Sequence, residues 1–389
     1  MREINIYPAE MDTDVSGVAP RVYSGIAAPI RFVLIFFGII FAARFAVMQR
    51  SSWGVDFNQF YSAGKLTGTG HLYEWEPLRR LEAERGDASP TGRLPVVLYV
   101  HKLLGRLPYH RAQAIWAAIS VLALIGFVLL WPSVPREIAT VALIWSIPSI
   151  MLLVFGQDTP FWMCFFAAGL FALKRSHPVW AGIAFSLCIC KFQLGLGIFV
   201  LLIAQRRWKA LCAGAVSVMV LAGAGFAIEP GWPSRYLQMA NMPEFSPSPG
   251  SSAAMWGVLY SVPGHTALEI SLSAVLLILL WLACGRVSNI GVCGAMAAAS
   301  GILVSHHGLY ADTILLLPLQ AMVVACGPRV LRWTAVAALS PVPLLVSFAL
   351  RAPVIWQILP VLFTFAVIIH LTFSRGSTSG VSNDCVSQF

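Results

Sequence analysis

One aspartate, Asp56, stands in the stretch "GVDFNQFYSAGKL", a few residues past the first long apolar segment. An Asp at that place can cap a helix formed by "FNQFYSAGKL", accepting hydrogen bonds from the free N–H groups of the next turn. It can equally act as a general base, with partial desolvation and nearby cations tuning its pKa toward removal of a hydroxyl proton. Three more polar stretches interrupt the apolar chain: "FGQD" with Gln157 and Asp158, "CKFQ" with Lys191 and Gln193, and "SHHGLYAD" with Ser305, His306, His307, Tyr310 and Asp312. Lys191, between "AFSLCIC" and "FQLGLGIFVLL", is either an interfacial lysine at a turn or a ligand for a doubly charged phosphate leaving group. Gln157 and Asp158 either cap the helix that follows them or bind sugar hydroxyls. Adjacent residues such as His306 and His307 diverge by about 100° on a helix, and no third ligand follows at zinc spacing. Hydrogen bonding to a phosphate or hydroxyl suits them better than a metal, and these residues call for no cofactor.

The elements that hold these groups must be membrane helices. The 389 residues are 58% hydrophobic and 11% charged, where a soluble domain carries about 25% charged residues. Mean hydropathy is +0.76. Apolar runs long enough to cross a roughly 30 Å hydrocarbon core recur along the chain, and a helix satisfies its own backbone there. The expected class is all-α, with about 12 crossings: 30–48, 110–131, 137–155, 159–174, 178–190, 193–205, 208–228, 267–285, 289–304, 309–326, 331–349 and 354–373. Residues 1–29 and 375–389 read as tails, and 30–374 as one transmembrane domain. The net charge of +9 comes from basic residues scattered in ones and twos, without the basic face of a nucleic-acid binder. The eight cysteines lie mostly in apolar runs and form no C-x-x-C pair, so they read as small buried hydrophobes.

Charge placement sets the expected topology. If the chain reverses at "CKFQLG", the short loops and tails of one face collect Arg2, Arg21, Arg31, Arg136, Lys174, Arg175, Arg206, Arg207, Lys209, Arg286, Arg329, Arg332 and Arg375. The short loops of the other face hold only Lys191, Arg235 and Arg351. Thirteen against three predicts cytoplasmic termini in a plasma membrane protein. Every polar stretch above then converges on the extracytoplasmic face, where residues 49–109 and 229–266 form the two long loops. In the first, Phe57, Phe60, Tyr61 and Gly64 recur at helical spacing, predicting a helix lying in the membrane interface. The second, rich in Pro, Ser and Gly, reads as a mobile cover.

At these residues the chain resembles a known family. "DFNQFYSAGKLTGTGHLYEWEP" resembles the D-F-x-x-F-Y-x-A-G segment of glycosyltransferase family 87, polyprenyl-phosphate-mannose-dependent mannosyltransferase-like enzymes of GT-C architecture. "FGQDTPF", "AGIAFSLCICKFQLGL" with "RRWKAL", and "SHHGLYADTILLLP" resemble later segments of that family in the same order, although Phe192 and His306 stand where it usually has proline. The resemblance spans about residues 30–330.

The resemblance implies inverting transfer of a hexose, mannose first, from a polyprenyl-phosphate donor to a glycolipid or glycan acceptor of the cell envelope. Asp56 would be the base, Lys191, His307 and His306 the phosphate contacts, and Gln157, Asp158, Tyr61, Gln193 and Tyr310 further substrate contacts. The expected partners are that donor, that acceptor and the bilayer, with no nucleic acid. The rival reading is a secondary transporter or lipid flippase using Asp56, Lys191 and Asp312 as intramembrane charges; a second enzyme reading is an acyl- or phosphotransferase.

Overall fold

A computed structural model describes residues 28–373, apart from 135, 246–247, 307, 341 and 351–353. The structure is all-helical: among the described residues there is no strand, only one isolated bridge between Ser252 and Leu309. The chain runs through α1 (Ala28–Met48), α2 (Val55–Leu66), α3 (Trp75–Ala83), α4 (Pro95–Leu104), α5 (Tyr109–Leu130), α6 (Arg136–Trp145), α7 (Ile147–Phe155) and α8 (Thr159–Lys174). It continues through α9 (Pro178–Ser186), a 3-10 segment (Leu187–Leu194), α10 (Leu196–Ala204), α11 (Trp208–Ile228), α12 (Trp232–Ala240) and α13 (Met255–Leu259). The last third holds α14 (His265–Arg286), α15 (Ile290–Val304), a 3-10 segment (Tyr310–Leu316), α16 (Leu317–Cys326), α17 (Arg329–Leu339), α18 (Val342–Ala349) and α19 (Val354–Phe373).

Among the described residues, five helices are singly long and apolar enough to cross a bilayer: α1, α5, α11, α14 and α19. A sixth span forms if α6 and α7, bent by 64° around Ser146, are taken together. The remaining apolar helices, among them α8, α15 and α16, are shorter. Much of α1 and α11 faces outward with exposed Phe, Val and Met, as lipid contact requires. The opposite extreme is α15, "IGVCGAMAAASGILV", buried along all but its last residue. Its small side chains let α8, α10, α14 and α19 pack against its backbone, the usual device where helix association depends on close contact.

The chain reverses at Lys191. That residue leaves helical geometry (φ −132°, ψ 67°) inside the Leu187–Leu194 segment. Beyond it, α10 runs back along α15, since a side chain at Gly197 would strike the Ala297 backbone and one at Gly301 the Leu194 carbonyl. At the far end Gln205 donates to the Val287 carbonyl at 2.8 Å. A methyl group at Gly182 would collide with Ala210 and Gly214, so the starts of α9 and α11 lie together. Lys174 and Arg175 therefore share one end of the bundle with Arg206, Arg207 and Lys209.

The first long loop differs from its expected form. Phe57, Phe60 and Tyr61 are turned away from any membrane surface and buried with Leu104, Ala112 and Trp116. The helical stripe is real, but the apolar partner it found is α4 and α5 rather than lipid. The second long loop is likewise tied down. Glu229 accepts from the Gly68 amide at 2.9 Å, Ala253 donates to the Gly308 carbonyl at 2.7 Å, and Gln357 of α19 donates to the Pro249 and Ser252 carbonyls at 2.7 and 2.8 Å.

Candidate active site

Four chain segments far apart in sequence meet around one buried lysine. Lys191 is 1% exposed. Its ammonium donates to Gln157 Oε1 at 3.0 Å, to Thr159 Oγ1 at 2.8 Å and to Asp312 Oδ1. Thr159 in turn donates to Asp312 Oδ1 at 2.6 Å, while Asp312 Oδ2 accepts from the Leu309 amide at 3.2 Å. An ammonium has three hydrogens to give, and all three are directed at protein oxygens. The break in helical geometry at Lys191 is what presents the ammonium to these partners.

Beside this cluster sits a second ion pair. Arg93 makes a forked contact with Asp158, Nε to Oδ2 at 2.5 Å and Nη2 to Oδ1 at 2.9 Å, with both side chains largely buried. Asp158 occupies the position preceding α8, yet its carboxylate is taken by the guanidinium and caps nothing. The Arg93 guanidinium also lies over the Phe60 ring, 5.3 Å from its centroid.

Asp56 is the odd carboxylate. It is the second residue of α2, behind Gly54 in the capping position, so it is not the cap. Its Oδ2 accepts from Gln157 Nε2 at 2.7 Å. Gln157 thus spans the two centres: its carbonyl oxygen takes a hydrogen from Lys191 and its amide gives one to Asp56. Asp158 and Asp312 each have a cation, whereas Asp56 has a neutral amide and stays half-buried at the rim. Desolvation dominates its titration and raises the pKa to about 6, against the opposing pull of Lys191, Arg93 and the Gln157 hydrogen bond, with Asp312 adding repulsion. A carboxylate with that pKa is ionised at neutral pH yet basic enough to take a hydroxyl proton.

Packing fixes where Asp56 stands. Gly156 adopts a left-handed conformation (φ 76°), and a Cβ there would lie 2.6 Å from that of Phe57. The Gly156 carbonyl accepts from Trp116 Nε1 at 2.8 Å, and Gly54 donates to the Val154 carbonyl at 2.7 Å. The start of α2 is therefore pinned directly to the turn that carries Gln157. From this turn a groove of about 1030 Å³ runs between α1, α5, α6 and α7, lined by Trp53, His110 and Gln113 at the Asp56 end and by apolar side chains beyond.

Residues 95–306, over half of the chain, match the family model of glycosyltransferase family 87. The chain belongs to this family. A family 87 glycosyltransferase with a polytopic all-α membrane fold is thus established, and the transporter reading falls away. No curated protein and no solved structure matches it. The matched stretch takes in Gln157, Asp158, Lys191 and His306 but begins beyond Asp56.

Of the residues the sequence nominated in this family 87 enzyme, the fold brings Asp56, Gln157, Asp158 and Lys191 into one cluster. Tyr61 goes elsewhere: its ring is buried between α2 and α5 and its hydroxyl donates to the Leu107 carbonyl at 2.7 Å. Tyr310 packs edge-on against Trp356, with centroids 4.7 Å apart. His306 packs against Trp256 with the rings tilted by 49° and centroids 4.5 Å apart, and its Nδ1 lies 3.4 Å from Glu269. His307 and the Gln193 side chain lie outside the described residues. Among the described residues, no three His, Cys, Asp or Glu side chains are grouped to hold a metal ion. Sequence reasoning passed over Arg93 and Thr159 and left Asp312 without a role in the enzyme reading. For Arg93 the cue was its place two residues before Pro95, the N1 residue of α4; Thr159 is one residue past the "GQD" already singled out.

Proposed function

We propose that this glycosyltransferase moves a hexose, mannose first, from a polyprenyl-phosphate donor to a cell-envelope glycolipid or glycan, on the extracytoplasmic side of the plasma membrane, with inversion at the anomeric carbon. The observation that carries this reading is the half-buried Asp56 carboxylate, held by a neutral amide between two buried cations and lying at the end of an apolar groove. The acceptor oxygen attacks the anomeric carbon as Asp56 takes its proton. The bond from that carbon to the phosphate oxygen breaks, and polyprenyl phosphate leaves with the electron pair.

The groove suits the donor's prenyl tail. It follows α5, a helix about 33 Å long, and its apolar lining ends at His110, Gln113 and Trp53, the last of which lies three residues before Asp56 in sequence. Lys191 and Arg93 supply fixed positive potential where phosphate charge develops; Lys191 acts through the field, since its three donors are engaged by Gln157, Thr159 and Asp312. His306, His307, Tyr310 and Gln193 are proposed as further substrate contacts.

The experiment is transfer from synthetic polyprenyl-phosphate mannose, radiolabelled in the sugar, to extracted envelope lipids by the purified protein in nanodiscs. Wild type should transfer label and Asp56→Asn should lose at least ~10²-fold of turnover. Near-normal turnover by Asp56→Asn would remove Asp56 from the role. Transfer from a different prenyl-linked sugar would keep the mechanism and change the donor.

A further inference from the structure

The end of the bundle remote from Asp56 carries a feature that sugar transfer does not use. Between Asp158 and Glu229 the sequence contains no acidic residue, yet it places Lys174, Arg175, Arg206, Arg207 and Lys209 in two short turns. All five are exposed, and among the described residues none takes part in an ion pair. Gly182 packed on Ala210 and Gly214 brings the turns side by side. Trp180 and Trp208, 68% and 54% exposed, stand beside the cations. Aromatic rings of this kind sit at headgroup level in membrane proteins.

The two turns are built alike. His177 donates to the Ala172 carbonyl and Arg207 to the Leu202 carbonyl, both at 2.8 Å, closing each helix with a six-to-one bond. That motif needs a left-handed residue, which is usually glycine. Here the positions are filled by Ser176 (φ 60°) and Arg206 (φ 52°). An arginine held in a conformation better suited to glycine keeps a cation at a cost to the fold, a pattern characteristic of functional positions.

We propose that residues 174–180 and 205–209 together bind the phosphodiester headgroup of an anionic phospholipid in the leaflet at this end of the bundle. The cations meet the headgroup phosphate and the two indoles pack beside the upper acyl chain. Each cation near an anionic surface adds roughly five-fold to affinity. This inference does not depend on which sugar or acceptor the enzyme uses.

The test is native mass spectrometry of the purified protein released from micelles holding equal phosphatidylglycerol and phosphatidylcholine. Wild type should retain phosphatidylglycerol at least about ten-fold over phosphatidylcholine, and the double variant Arg175→Gln with Arg207→Gln should approach parity. Arg206→Gly should also weaken the preference while its melting temperature stays level or rises, because glycine relieves the left-handed turn. That combination separates lost binding from lost folding. Parity in wild type, or an undiminished preference in both variants, overturns the proposal and leaves the cations as topology signals alone. Release of the lipid by millimolar inorganic phosphate would also overturn it, marking a site for a soluble anion.

Discussion

Gln157 donates its side-chain amide to Asp56 Oδ2 at 2.7 Å, and the other end of the same amide is held by Lys191 at 3.0 Å. A neutral group with both ends fixed has one orientation. It can therefore aim the carboxylate without neutralising it, which a cation in the same place would do.

This arrangement predicts the pH profile. Because burial raises the Asp56 pKa to about 6, kcat/KM should rise as pH increases through that value and level off near neutrality. Gln157→Leu removes a hydrogen bond that favours the charged form, so the acid limb should move to higher pH and turnover at neutral pH should fall roughly ten-fold. A profile unchanged in Gln157→Leu would show that the amide does not act on the base.

The Lys191–Asp312 pair should behave as a coupled buried unit. Lys191→Met leaves Asp312 uncompensated and should cost roughly 3–5 kcal/mol of stability. Adding Asp312→Asn to that variant should recover a large part of the loss, which thermal melting in detergent across the four proteins of the cycle would measure. Additive losses would refute the coupling.

Gly156 should tolerate no side chain. Alanine there needs a left-handed backbone and meets Phe57, so Gly156→Ala should destabilise by roughly 2–4 kcal/mol and push α2 away from the Gln157 turn. The kinetic signature is a fall in kcat larger than any change in KM, since the base moves while the groove remains. Unchanged kcat in a folded variant would contradict the pinning.

Glu82 offers a stability readout independent of activity. Its side chain is buried, Oε2 accepts from the Ser89 amide at 2.7 Å, and Oε1 has no partner, so burial pushes the pKa up to about 8. The unfolded chain releases this proton near 4.5 and the folded chain near 8. Between those values the native state binds more protons, and stability should fall as pH rises. Melting temperatures from pH 5 to 9 should decline in wild type and decline less in Glu82→Gln, which mimics the protonated acid; parallel curves would exclude Glu82 as the titrating group.

The sequence alone determined the class of this protein and the positions of its polar groups. Apolar runs at membrane length leave the backbone no option but helices, and a charge among them is costly enough to mark a site without knowledge of its neighbours. The reversal at Lys191 was legible for a similar reason, since only a turn there lets the basic clusters share one end. Partnership was decided by tertiary structure. Asp158 precedes a helix and reads locally as a cap, but Arg93, 65 residues away, takes its carboxylate. Phe57, Phe60 and Tyr61 read as a stripe seeking an apolar surface, and a helical period cannot say whether that surface is lipid or protein. Lys191 reads as a cation free to meet phosphate, and only the approach of Gln157, Thr159 and Asp312 shows its donors already engaged. Local pattern fixes which groups face inward, whereas the identity of what they face depends on contacts between segments that no spacing along the chain encodes.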